Sequence, residues 1–168
     1  MEYGLLLLRI VVGLVFAGHG AQKLFGWFGG GGPAGTAAFF STVGYRAPAA
    51  IAIVVGLFEI GGSLLLGAGL LTPLAALLLG VVMLNAIATV VWPKGFLGGY
   101  ELEVLLLTVP IAVTATGPGR LSLDRLLHWD DELSGLAWAS VVLGGAIVVS
   151  LVTTTLGRAR ADLDEIPG

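Results

Sequence analysis

The chain has 168 residues, of which 57% are apolar and 11% charged, with a mean hydropathy of +0.99, where a soluble domain carries roughly 25% charged residues. A crossing of the bilayer takes about 20 apolar residues, so this length holds four or five crossings and no second, soluble domain. Eight Lys plus Arg at a net charge of −3 exclude a basic patch for nucleic acid, and the absence of cysteine excludes disulfides, thiol catalysis, cysteine-ligated iron–sulfur clusters and thiolate zinc sites.

Apolar runs interrupted by Gly, Pro and charge predict five transmembrane helices, at about 4–26, 48–69, 73–92, 101–117 and 136–156. Only Met1, Glu2 and Tyr3 precede the first run, with no Lys or Arg, and the run outlasts a signal-peptide core, so it reads as a retained helix. The connection at 29–46 combines Gly29 to Gly32, Pro33 and the Phe39-Phe40 pair, a pattern for a short interfacial or re-entrant segment. Leu71-Thr72-Pro73 is so short that spans two and three must be antiparallel neighbours. Trp92 and Tyr100 flank the third connection at the level of an aromatic belt. Past Gly117-Pro118-Gly119, Leu123, Leu126, Leu127 and Trp129 alternate with Asp124, Arg125, Asp130 and Asp131, predicting an amphipathic surface helix N-capped by Ser122. The fifth span offers only Ser and Thr as polar groups and reads as peripheral. Gly13, Ala17 and Ala21, and likewise Ala52 and Gly56, recur at four-residue spacing, which suits close helix packing.

Charged groups inside a span are costly and tend to face the bundle interior. The informative set is Arg9, His19, Lys23, Glu59, Asn85 and Glu103, with Tyr100 on the face of Glu103. Arg9, His19 and Lys23 fall within about 80° of arc on the first helix. With side A defined as the face carrying the N-terminus, a rise of about 1.5 Å per residue puts Glu59 near the midplane. His19, Asn85 and Glu103 then lie about 6, 4 and 8 Å toward side B, with Lys23 further out. Five polar groups from four helices thus converge on the B half, implying a polar cavity open to side B, while Arg9 stands alone on the A half as a structural polar group. The same groups can instead lock the bundle without chemistry, Glu59 pairing with His19 or Arg9 and Lys23 with Glu103. Lys94 and Glu101 read as solvated or snorkelling, and His128, Asp130, Asp131 and Glu132 as surface groups. His19 and His128 fall on opposite sides of the bilayer, so no metal or haem site is expected.

Several stretches together resemble the DoxX family: Arg9 in a leading apolar helix, His19-Gly20-x-x-Lys23-Leu24-Phe25-Gly26, Phe39-Phe40 with Gly44, and Glu59-x-Gly61-Gly62. They continue through Gly69-Leu70-Leu71-Thr72, Gly99-Tyr100-Glu101 and Gly117-Pro118-Gly119-Arg120-Leu121-Ser122-Leu123-Asp124. The resemblance spans about residues 4–127 and implies an all-α, four-helix membrane core. It also implies a link to the membrane subunit of thiosulfate:quinone oxidoreductase and, in actinobacteria, to a redox-stress complex with a sulfurtransferase and a superoxide dismutase. Pro73 stands where relatives often carry Arg, and the fifth span would put the C-terminus on the side opposite to that of a four-span relative.

The expected organisation is therefore a DoxX-like domain over 1–127 and, over 128–168, a surface segment, a fifth transmembrane helix and a polar tail. The expected function is the membrane subunit or anchor of a redox or sulfur-oxidation system in the bacterial cytoplasmic membrane. It would have a soluble redox partner and no covalent cofactor, and a quinone can occupy the cavity lined by His19, Lys23, Glu59, Asn85, Tyr100 and Glu103. A small-solute or proton-coupled carrier with Glu59 as proton site, and a non-catalytic assembly protein, are the alternatives, and a homo-oligomer is compatible with each. Positive charge leans toward side B in the cytoplasm, whereas the resemblance implies that the N-terminus is inside.

Overall fold

The computed structural model describes residues 2–158; Arg160 and the rest of the polar tail lie outside the described residues. Seven α-helices follow in order: α1 Glu2–Phe25, α2 Gly32–Thr42, α3 Pro48–Ala68, α4 Thr72–Ala86, α5 Glu101–Thr116, α6 Leu123–Leu126 and α7 Leu136–Leu156. Tighter and wider helical turns extend α4 to Lys94 and start the α5 crossing at Phe96, giving five helices long and apolar enough to span a bilayer. The chain is thus an all-α, multi-pass integral membrane protein. Its outer faces carry exposed apolar residues on every span, among them Leu14, Leu57, Leu74, Leu105 and Val148, as a lipid-facing surface requires.

The elements begin and end where local chemistry dictates. Pro48 sits in the first turn of α3, where its missing N–H costs nothing. Gly69 ends that helix in the left-handed conformation (φ 62°), with the Gly69 and Leu70 N–H groups returning to Leu66 O and Leu65 O. α4 starts two residues later from Leu71, also left-handed (φ 46°), so α3 and α4 pack antiparallel. α5 runs unbroken through the buried Pro110.

Helices α1 and α3 form the most intimate pair, and small residues make that possible. A Cβ at Gly20 would lie 2.8 Å from Ile60 Cγ1, and one at Gly13 would lie 3.1 Å from the Ser63 carbonyl oxygen. The shared core contains Val12, Phe16, Leu66, Leu79, Leu106 and Val113.

Two expectations need correction. The segment after Pro118 is not an amphipathic surface helix: only Leu123–Leu126 is helical, and Asp124 is fully buried. The cause is the N-terminus of α4, whose unsatisfied N–H groups draw the carboxylate inward. Leu71 N donates to Asp124 Oδ1 at 2.7 Å, and Thr72 N and Oγ1 donate to Oδ2 at 3.0 and 2.7 Å. Ser122 does cap the short helix, accepting from Arg125 N. Nor is α7 peripheral: it packs on α4 and α5 and turns Ser150 and Thr153 toward Asn85. Glu101 lies at the surface, where its two oxygens also accept from Gly98 N and Gly99 N at 2.8 Å each.

Residues 43–46 and the end of α7 meet on one face: Arg46 N donates to Gly157 O, and Arg158 Nε to Val43 O. The connection at 29–46 and the last described residues therefore share a side.

Candidate functional site

The B half of the bundle encloses a chamber of about 450 Å³, within the range of small-molecule sites. Its apolar wall comes from Phe39 and Phe40 on α2, Val55 and Phe58 on α3, and Leu102 and Leu106 on α5. Helix α2 thus forms one wall of the chamber. His19 and Leu102 line the space while remaining exposed, so the chamber is not sealed.

On α1, His19 and Lys23 are four residues apart and share a face. Gly20 lies between them against Glu59 and Ile60, bringing α3 close enough for an ion pair. Lys23 Nζ stands 2.8 Å from both Glu59 Oε1 and Oε2. Glu59 is 2% exposed and Lys23 23%, so the pair spans from the buried wall to the chamber edge. The ion partner of Glu59 is therefore Lys23, not His19 or Arg9, and Lys23 does not pair with Glu103.

Asn85 on α4 organises the opposite wall. Its amide donates to Val81 O at 2.9 Å and to Ser150 Oγ at 3.1 Å, and its carbonyl accepts from Tyr45 OH at 3.1 Å and Thr153 Oγ1 at 2.8 Å. All four positions of the side chain are filled. Tyr45, Ser150 and Thr153 had no signal in the sequence as site residues, because hydroxyls on an apolar run are common and serve equally as helix back-bonders. Burial pushes the Tyr45 phenol above its ordinary pKa, outweighing the opposite effects of the Thr89 hydroxyl and the Arg158 charge, so this hydroxyl stays protonated and serves as a donor.

Glu103 on α5 also lines the chamber. Its Oε2 is buried and has no hydrogen-bond partner among the described residues. Tyr100, expected beside it, is not among the lining residues; its ring stacks on Trp92 at 5.4 Å and meets Phe96 edge-on. Phe16 belongs to the core rather than to the chamber.

The other end of the bundle is built differently. Arg9 is fully buried, its Nη2 donates to Leu121 O, and it lies within reach of the Asp124 charge. Together with the Asp124 cap on α4, this ties the segment after Pro118 to α1 and to the start of α4. Among the described residues no three His, Cys, Asp or Glu cluster closely enough to hold a metal ion.

The family model described as DoxX matches residues 4–92. A protein of Bacillus subtilis (strain 168) named "Putative oxidoreductase CatD" is 35% identical over 123 residues, which is 73% of this chain and 86% of that protein. No solved structure matches.

Proposed function

Because this chain belongs to the DoxX family, we propose that it is the membrane subunit of a quinone-linked oxidoreductase system of the bacterial cytoplasmic membrane, with the chamber as its quinone site. The observation that carries the reading is the form of the chamber: an aromatic and aliphatic space inside the bilayer with charged and polar side chains on its walls. That form suits a ring with polar oxygens and an apolar tail. The name of the Bacillus relative, an oxidoreductase, points the same way.

The residues divide the task. Phe39, Phe40 and Phe58 pack the ring, and the Lys23 ammonium, held by Glu59, presents its remaining N–H bonds to a quinone oxygen. His19 at the exposed edge supplies a second donor and a place for a proton to enter. The chain has no cysteine, and electrons are exchanged with the bound quinone by a soluble partner protein, so the subunit is inactive alone.

The test is mass spectrometry of what copurifies with the protein in mild detergent. A stoichiometric quinone, lost in Lys23→Met, is the expected result. A protein that retains no quinone, yet alone in liposomes moves a solute down a proton gradient in a way abolished by Glu59→Gln, would overturn this reading in favour of a carrier.

A further inference from the structure

The hydrogen-bond inventory of the chamber is unequal. On the Asn85 wall every donor is already spent: the amide of Asn85, the hydroxyls of Tyr45 and Thr153, which donate to its carbonyl, and the Thr89 hydroxyl, which donates to Asn85 O at 2.7 Å. Lys23 Nζ donates to Glu59 Oε1 and stands 2.8 Å from Oε2, which lies in the ion pair but accepts no hydrogen bond among the described residues, and Glu101 is held by the backbone of Gly98 and Gly99. What remains is the Glu103 carboxyl, with a buried oxygen and no donor among the described residues, the spare N–H bonds of Lys23, and the His19 ring. A buried acceptor left without a donor is costly. Two buried carboxylate oxygens of the chamber thus lack a donor, Glu59 Oε2 and Glu103 Oε2; Glu59 has the Lys23 ammonium beside it, whereas Glu103 has no ion-pair partner among the described residues, and Lys23 and His19 on the same chamber still have donors to give.

We propose that the chamber takes its ligand through a hydroxyl that donates to Glu103 and, resting on the quinone reading above, that it holds the reduced, hydroquinone-class form in preference to the oxidised quinone. A phenolic hydroxyl meets both needs at once: its O–H donates to the Glu103 oxygen, and its lone pairs accept from Lys23 or His19. A quinone carbonyl only accepts. Placed in the same position, it sets its lone pairs against those of Glu103 and leaves the buried oxygen unpaired. The penalty for leaving a buried acceptor without a donor is lifted when the ligand supplies one, and supplying that donor corresponds to about a tenfold difference in affinity.

The experiment uses the full chain in detergent micelles under anaerobic conditions, titrated with a decyl-substituted benzoquinone, its hydroquinone and the hydroquinone dimethyl ether. The ether keeps the ring and tail and adds a methyl group at each oxygen, so it cannot donate; the quinone, close to the hydroquinone in size, is the size-matched control. The expected result is hydroquinone binding at least tenfold tighter than either the quinone or the ether, and a ratio that collapses in Glu103→Gln, whose amide also donates to a carbonyl. Because the comparison of the hydroquinone with the quinone, which differ by only two hydrogens, needs only the unaltered protein, it decides the matter even if the Gln variant fails to fold. Equal affinity for all three compounds overturns the proposal and leaves the quinone reading standing. A preference for the quinone means that Glu103 gives a proton rather than takes a hydrogen bond, and overturns it as well. Hydroquinone preference that persists in a folded Glu103→Gln protein refutes the assignment to Glu103, and binding of none of the three removes the quinone reading itself.

Discussion

At the side-A end, Arg9 and Asp124 are both fully buried and both turned to backbone: Arg9 donates through Nη2 to Leu121 O, its Nε and Nη1 having no partner among the described residues, and Asp124 accepts from the first N–H groups of α4. At the side-B end, Lys23 and Glu59 are spent on each other, and Glu103 on nothing among the described residues. Both ends carry charge into the bundle, but only the second sets it around an empty volume. The contrast separates two uses of an intramembrane charge. One replaces hydrogen bonds that a tight turn between two spans cannot make for itself, and its worth is stability. The other holds polar groups ready beside an apolar space, and its worth is recognition.

The largest effect should come from breaking the side-A end. Asp124→Ala strands three donors at the head of α4, and the expected cost is about 3–5 kcal/mol, read as a loss of thermal stability in detergent. Asp124→Asn keeps one acceptor and should cost about half as much. A loss below about 1 kcal/mol for the alanine variant would show that the turn at Leu71 holds without its cap.

Breaking the side-B ion pair should cost less, because Lys23 is partly exposed and its charge partly screened. Lys23→Met or Glu59→Gln alone should cost about 1–2 kcal/mol, with a coupling of about 1 kcal/mol in the double-mutant cycle. His19 makes no hydrogen bond to Glu59, so His19→Ala should add to Glu59→Gln without coupling. A coupling for His19 as large as that for Lys23 would move the ion pair and redraw the chamber wall.

The five crossings and the antiparallel α3–α4 turn were legible because length, hydropathy and a three-residue connection leave one arrangement. Depth arithmetic along alternating spans also brought His19, Lys23, Glu59, Asn85 and Glu103 to one half of the bundle, where the structure sets them around one space. Pairing was not legible, because it depends on helix rotation and on how closely Gly20 lets α1 and α3 approach. Asp124 was misjudged for a related reason. Its local pattern of leucines and charges fits a surface helix, and nothing near it in sequence reveals the empty donors of α4, some 50 residues earlier. Tyr100 was placed by its helical face, but the segment before Glu101 departs from regular helix at Leu97 and Gly98, which voids that reckoning and lets the ring stack on Trp92.

The fifth span offers the smallest effect and a sharp test of whether α7 belongs to the chamber. Thr153→Val keeps the shape of the side chain and removes one hydroxyl, which donates to Asn85 Oδ1 at 2.8 Å. Asn85 keeps Tyr45 on the same oxygen and Ser150 and Val81 on its amide, so no group is stranded, and interhelical hydrogen bonds of this kind average about 0.6 kcal/mol in membranes. A stability loss of about 0.5–1 kcal/mol is therefore expected. Thr153 also faces the chamber, so the same variant should alter ligand affinity, whereas Thr155→Val, on the exposed face of α7 where the hydroxyl bonds only its own helix, should not. Equal ligand affinity in both variants would return α7 to the outside of the bundle and leave the chamber to the first four spans.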